Sequence, residues 1–332
     1  MRQGPAAERG QALAAAATEP PVAATGRVPF RGGRADSGFW ICVFLLPFLV
    51  FYVGFTLWPL VATIVYSLFD WDGVQPLTQF IGVDNYTRIL GDPLFWSAFR
   101  NTLLFAVLNT AIKLPLTLLA AVLLTRRWLL FKRFFRTVFF LPIILPVALS
   151  GLVFTYLLNP SNGALDSFLL DHGLLKQPID LLGHDNTALL AVVLISVWQI
   201  FGQYMLYWMA ALTQVPEELY EASDLDGANE RQKMFHVTLP LIRPVAVIIT
   251  LLALVNALHV FGIIVTLTAG GPGRATYVVS YFIYTEAFQN APFKYGYASA
   301  AALIFAVLAF AFVSGQGLLA RRAERLRQLY GV

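Results

Sequence analysis

Residues 102–125 read TLLFAVLNTAIKLPLTLLAAVLLT, an apolar run broken by a single charge, Lys113. About 20 consecutive apolar residues carry a helix across the ~30 Å hydrocarbon core of a bilayer. Equivalent runs occupy 39–69, 137–158, 188–212, 245–267 and 298–319. The first contains Pro47 and Pro59 and is long enough to tilt or kink. Backbone polar groups in lipid must be satisfied within the segment or by closure of a barrel. A barrel needs many short alternating strands, and the runs do not alternate. The expected fold is therefore all-α, with six transmembrane helices.

Composition agrees. Of the 332 residues, 58% are hydrophobic and 13% charged, about half the charged share of a soluble domain. The lone Cys42 lies in the first run, has no intrachain partner and reads as a small hydrophobe. Residues 1–36 are rich in Ala, Gly, Pro and Arg, without apolar periodicity, and read as a disordered tail. The tail is too polar for the start of a cleaved signal peptide, and the run that follows is too long for one, so the first span is expected to stay. The domain plan is a tail (1–36), a six-helix domain (37–320) and a C-terminal tail (321–332).

Lys and Arg sort by side. The tail (Arg2, Arg9, Arg27, Arg31, Arg34), the second loop (Arg126, Arg127, Lys132, Arg133, Arg136), the fourth (Arg231, Lys233, Arg243) and the C-terminus (Arg321, Arg322, Arg325, Arg327) share one face. The opposite face has Arg88, Arg100, Lys176, Arg274 and Lys294. This bias predicts a multi-pass protein with both termini cytoplasmic. It also explains the net charge of +4 without nucleic acid. The cluster near Lys132 is placed to meet anionic lipid, and Trp58, Trp71, Trp96 and Tyr156 fit an aromatic belt.

No GxxxxGK[ST] phosphate loop, HExxH pair, cysteine ligand set or GxSxG elbow occurs, and His172, His184, His236 and His259 are scattered. Uphill transport by an ATP cycle would need another chain to bind the ATP. The longest charged segment between spans is 216–240, PEELYEASDLDGANERQKMFHVTLP. Pro216 suits a helix start, and Glu217 and Glu218 favour its positive end. Gly227 is placed to end that helix. Asn229 with Gln232 forms a capping-box pattern for a second helix. Leu219, Ala222, Leu225 and Ala228 share one face. That face fits a groove on a partner, or equally a resting place on lipid headgroups.

The segment resembles the EAA loop of binding-protein-dependent ABC importer permeases, patterned E-A-A, three residues, Gly, nine residues, Ile, one residue, Leu-Pro. Glu221, Ala222, Gly227, Leu239 and Pro240 match; Ser223 stands for the second Ala and Val237 for Ile. The resemblance implies a coupling loop, 214–243, docked into a cleft of a cytoplasmic ATPase. Glu221, Ala222, Ser223, Asp226, Gly227, Leu239 and Pro240 would form the coupling site. Asn85-Tyr86, Asn101-Thr102-Leu103, Leu141-Pro142 with Pro146, Gly163-Ala164-Leu165, Trp198-Gln199, Ala210-Ala211-Leu212 with Val215-Pro216, and Thr268-Ala269-Gly270-Gly271-Pro272 extend the resemblance to sugar permeases similar to the maltose and glycerol-3-phosphate types. Where members often carry Phe-Asp, this chain has Phe261-Gly262.

The family likeness implies a carbohydrate importer in a bacterial cytoplasmic membrane. Its partners would be a second permease, two nucleotide-binding subunits that hold ATP and Mg, an extracytoplasmic solute-binding protein and a sugar. This chain itself would bind no cofactor or metal and perform no catalysis. Polar groups inside apolar spans are costly and mark function by default. Asn109, Lys113 and Gln199 qualify, and Lys113 is expected to be paired or to face the bundle interior rather than to contact solute. The expected sugar path combines amides with ring faces: Trp198, Gln203, Tyr204, Tyr207, Asn256, His259 and Phe261. An ion- or proton-coupled carrier is the alternative, with Lys113 the one charge available for a relay. A membrane enzyme would need a catalytic cluster, which the sequence lacks.

Overall fold

A computed structural model describes residues 34–126 and 129–330, which contain helices, loops and one isolated antiparallel bridge, Phe69 to Phe80. The described chain divides into two compact units, one up to Pro59 and one from Leu60. The first is helical from Arg34, three residues before the expected start of the six-helix domain at 37. Residues 1–33 of that tail lie outside the described residues. Its large apolar side chains, among them Phe44, Phe48 and Phe55, are exposed. The Trp58 N–H reaches back five residues to the Val53 carbonyl. Pro59 follows, with no N–H to give, and the wider π-turn at Val53–Leu57 accommodates it. The membrane-length helix Phe39–Tyr66 is α1.

The second unit continues through α2 (Asp84–Leu90), α3 (Pro93–Thr125), α4 (Lys132–Ile144), α5 (Val147–Leu157), α6 (Ala164–Asp171) and α7 (Asp185–Leu212). There follow α8 (Glu217–Leu225), α9 (Glu230–Leu258), α10 (Gly262–Leu267), α11 (Val279–Tyr284) and α12 (Tyr295–Tyr330). Among the described residues α1, α3, α7, α9 and α12 are long and apolar enough to span, and α4 with α5 forms a sixth, bent by 100°. The all-helical, six-span expectation therefore holds.

Four features differ from the hydropathy reading. Helix α3 starts at Pro93, before the apolar run, because the Asp92 carboxylate accepts the Leu94 N–H at 2.8 Å and Pro93 fits the first turn. The third span is two helices. Pro146 ends hydrogen bonding from its own nitrogen and pushes Leu145 to an extended ψ of 130°. The fifth span ends at Leu258, and α10 turns away to pack on α5. Helix α12 runs on to Tyr330, through most of the stretch expected to be a tail; 331 and 332 lie outside the described residues.

Helices α3 and α7 make the most extensive pairing. One apolar core joins Phe105, Ala106, Val192, Val193, Leu258, Ile264 and Phe282; a second joins Ala121, Leu124, Tyr204, Met205, Trp208 and Ile249. Between α4 and α7 no side chain intervenes at Gly202. A Cβ there would lie 2.5 Å from the Phe139 carbonyl oxygen and 2.6 Å from the Phe140 Cα. Gln199, one turn earlier, donates to the Leu145 carbonyl freed at the Pro146 break and to Ser150 Oγ, both at 3.2 Å.

Asparagines tie the loops at the other end. Asn85 donates to the carbonyls of Ser67 (3.0 Å) and Phe69 (2.9 Å). Asn101 donates to those of Arg274 and Tyr277, and Thr102 Oγ1 accepts the Val279 N–H. The Thr268–Pro272 turn is closed by Thr276, which donates to the Gly271 carbonyl at 2.7 Å. Burial pushes the Tyr277 phenol above its ordinary pKa.

Candidate coupling loop and solute path

Helix α8 begins after Pro216 with Glu217 and Glu218 in its first turn. It ends at Gly227, whose φ of +75° favours glycine. Gly227 N–H bonds the Asp224 carbonyl and Ala228 N–H the Ser223 carbonyl, the paired closure of a Schellman motif. The next turn starts on Asn229. Its side chain accepts the Gln232 N–H at 2.9 Å while the Gln232 side chain accepts the Asn229 N–H at 2.8 Å. At Lys233–Thr238 the helix widens to a π-turn, in which Leu239 N–H reaches Met234 O just before Pro240. This repeats the accommodation seen before Pro59.

The two faces of the loop differ. The inner face is fastened. Ser223, buried, donates to the Tyr220 carbonyl, and the Tyr220 hydroxyl meets Thr238 Oγ1 at 2.8 Å. Lys233, also buried, pairs with Asp224 and Glu230, and Glu230 pairs with Arg126 at the end of α3. These groups edge a cavity of about 370 Å³ between the loop and the ends of α3 and α7. The outer face is bare: Leu219 is 41% and Leu225 90% exposed, and Ala222, Glu221, Asp226 and Pro240 are exposed as well. Leu239 is half-buried. From sequence, Arg126 and Lys233 stand out only as charges that set sidedness, and Asp224 and Glu230 do not stand out. Asp224 and Lys233 come together only because the turn at Gly227 folds one helix back on the other.

The expected path residues fall into separate groups. On α7, Gln203 donates to the Tyr207 hydroxyl at 2.7 Å, and the Tyr207 ring stands edge-on to Tyr204 at 5.5 Å. Tyr204 itself is only 3% exposed. The Lys113 ammonium lies 4.1 Å from its ring centroid and donates to Asn109 Oδ1 at 2.9 Å. Asn109 in turn donates to Ser196. Lys113 thus faces the bundle interior, held by an amide and a ring face. Trp198 is exposed and leans edge-on against Phe154. At the end of α9, Asn256 and His259 are exposed, with His259 Nδ1 bonded to the Val255 carbonyl. His259 also lines a groove of about 530 Å³ with Ser280 and Phe305. Phe261 is half-buried against Tyr284. Among the described residues no group of His, Cys, Asp and Glu is arranged to hold a metal ion.

The family model described as "Binding-protein-dependent transport system inner membrane component" matches residues 113–325. The probable ABC transporter permease protein YurN of Bacillus subtilis is 37% identical over 273 residues, covering 81% of this chain and 91% of that one. The arabinooligosaccharides transport system permease protein AraP of Halalkalibacterium halodurans is 32% identical, covering 80% of this chain and 83% of that one. Among solved structures, a bacterial ABC transporter involved in import of the acidic polysaccharide alginate superposes with a TM-score of 0.74 at 25% identity, over 86% of this chain and 96% of that one.

Proposed function

We propose, from the premise that this chain belongs to the binding-protein-dependent transport system inner membrane components, that it forms half of the sugar path of an ATP-driven importer. Sugar as the cargo is supported by the relatives, one named for arabinooligosaccharides and one for alginate. The observation that carries the coupling reading is the bare row Leu219, Ala222 and Leu225 on a helix braced from behind. Such a surface suits a cleft on an ATPase subunit.

In this scheme two nucleotide-binding subunits hold ATP and Mg on the cytoplasmic side, where both termini also lie. Their closure pushes loop 214–243, with Glu221, Ala222, Ser223, Asp226 and Gly227 at the contact. The continuation of α9 through Leu239 and Pro240 carries the push into the membrane. A second, related permease completes the path, and an extracytoplasmic binding protein delivers the sugar. Gln203, Tyr207, Trp198, Asn256 and His259 offer it amides, a hydroxyl and rings; Tyr204 and Phe261 support from behind.

The test is twofold. The double variant Leu219→Asp, Leu225→Asp should insert normally and lose the ATPase subunits on affinity purification from the native host; retention at wild-type yield refutes the coupling role. A strain lacking the chain should lose growth or radiolabelled uptake on at least one of arabinotriose, lactose, maltotriose and alginate oligosaccharide. Unchanged use of all four refutes the sugar assignment.

A further inference from the structure

We propose that the start of α4 is a binding site for an anionic phospholipid, its headgroup on Lys132, Arg133 and Arg136 and an acyl chain along Phe134, Val138 and Leu141. The proposal needs only a membrane-spanning chain and is independent of the sugar and ATPase assignments.

Depth comes first. Gly202 packs directly on the Phe139–Phe140 backbone. It lies about 5 Å to the Leu212 side of the middle of α7, at ~1.5 Å per residue. Arg133 is a further ~10 Å along α4 in the same direction, measured by the same rise. With the middle of α7 taken as the membrane centre, that places it roughly 15 Å away, about half the hydrocarbon thickness. Lys132 and Arg133 therefore sit at the headgroup boundary. Arg136, about 5 Å deeper, is within snorkelling reach of it. This is the coupling-loop end of the bundle, since Arg126, six residues earlier, pairs with Glu230.

Charge comes second. Between Asp92 and Asp166 the sequence has no Asp or Glu. Arg126 and Lys233, on the neighbouring surface, both have carboxylate partners. None of the ion pairs among the described residues involves Lys132, Arg133 or Arg136. Arg133 and Arg136 are exposed and Lys132 half-exposed. Three unpaired cations within five residues, at headgroup depth, complement a phosphodiester anion.

The third observation is the stripe below them. Phe134 (62% exposed), Val138 (45%) and Leu141 (58%) follow at i, i+4 and i+7 and run from the cations toward the membrane centre. Phe131, 77% exposed, flanks the cations from above, as aromatic rings do at the interface. A free phosphate ion would use the cations and leave the stripe bare, whereas a phospholipid uses both.

Native mass spectrometry of the purified full chain, given equal dioleoyl-phosphatidylglycerol and dioleoyl-phosphatidylcholine, tests this. The wild type should retain the phosphatidylglycerol preferentially. Lys132→Gln, Arg133→Gln, Arg136→Gln should lower that preference at least tenfold, at about fivefold per cation near an anionic surface. Arg321→Gln, Arg322→Gln should leave it unchanged. An unchanged preference in the triple variant overturns the site, as does its full loss on adding 50 mM inorganic phosphate, which would make it a phosphate site. A photoactivatable phosphatidylglycerol on the wild type gives an answer that does not depend on variant folding. Labelled peptides should fall within 131–141, and labelling confined to other segments overturns the proposal.

Discussion

Replacing Gly202 by Ala tests whether α4 and α7 touch backbone to backbone. The new Cβ would start 2.5 Å from the Phe139 oxygen and 2.6 Å from the Phe140 Cα. Ordinary contacts need nearly 1 Å more, and neither neighbour is a side chain that can rotate away. The helices must part. Overpacking of this kind costs about 1–3 kcal/mol, and the absence of a flexible neighbour places it at the upper end. Parting by ~1 Å also stretches the 3.2 Å bonds from Gln199 to Leu145 O and Ser150 Oγ, one turn away. Hydrogen bonds between membrane helices contribute roughly 0.6 kcal/mol each. The total is about 3–4 kcal/mol, more than a hundredfold in the folded-to-unfolded ratio. Gly315 provides the matched control. It lies in α12 with nothing within 4 Å of its added Cβ, so Gly315→Ala should stabilise by up to ~1 kcal/mol through helix propensity. Unfolding in graded sodium dodecyl sulfate, followed by far-ultraviolet circular dichroism, measures both. Equal stability of the two variants would refute the close approach.

Four further outcomes follow from the contacts. Asn229→Ala should remove the capping box at a cost of about 1 kcal/mol and weaken ATPase retention, while Asn229→Asp keeps most of it; pull-down titrations read the difference. Arg126→Gln should lower stability by at most ~1 kcal/mol, because the pair with Glu230 is partly exposed, and melting in 0.5 M NaCl should erase the effect. Lys113→Met should leave stability unchanged or raise it, since a buried cation without a carboxylate is costly and a hydrophobe of similar size is not; a loss above ~2 kcal/mol on the detergent titration contradicts that reading. Gln199→Leu should destabilise by about 1–2 kcal/mol on the detergent titration by orphaning the Leu145 carbonyl.

Local signals in the sequence were reliable where the physics is local. The helix–Gly227–helix turn follows from a residue that accepts positive φ, and the Asn229–Gln232 box from two side chains three residues apart. Apolar runs located the spans but not their ends. Hydropathy sees no difference between a straight run and one bent at Pro146 or after Leu258, since both halves stay apolar. Asp92–Pro93 was a readable start signal that the longer apolar pattern masked. The polar cluster around Lys113 was legible only as a set of costly residues. That Asn109 and Tyr204 hold it depends on how α3 and α7 are turned toward each other. The recurring pairs Asn85-Tyr86, Asn101-Thr102 and Trp198-Gln199 acquire a reason: each places a side chain on a carbonyl or hydroxyl of a distant loop or break.

The uncovered row on α8 bears on how the cell must make this protein. Leu219, Ala222 and Leu225 are presented on a helix held by a Schellman turn and by the ion pair from buried Lys233 to Asp224, which keeps them turned outward. In the arrangement proposed above, a copy made without its ATPase would offer a fixed apolar tip to the cytosol, the kind of patch that seeds aggregation or marks an orphan for removal. That arrangement predicts that forced overproduction of this chain alone shortens its half-life relative to the assembled complex in a pulse-chase.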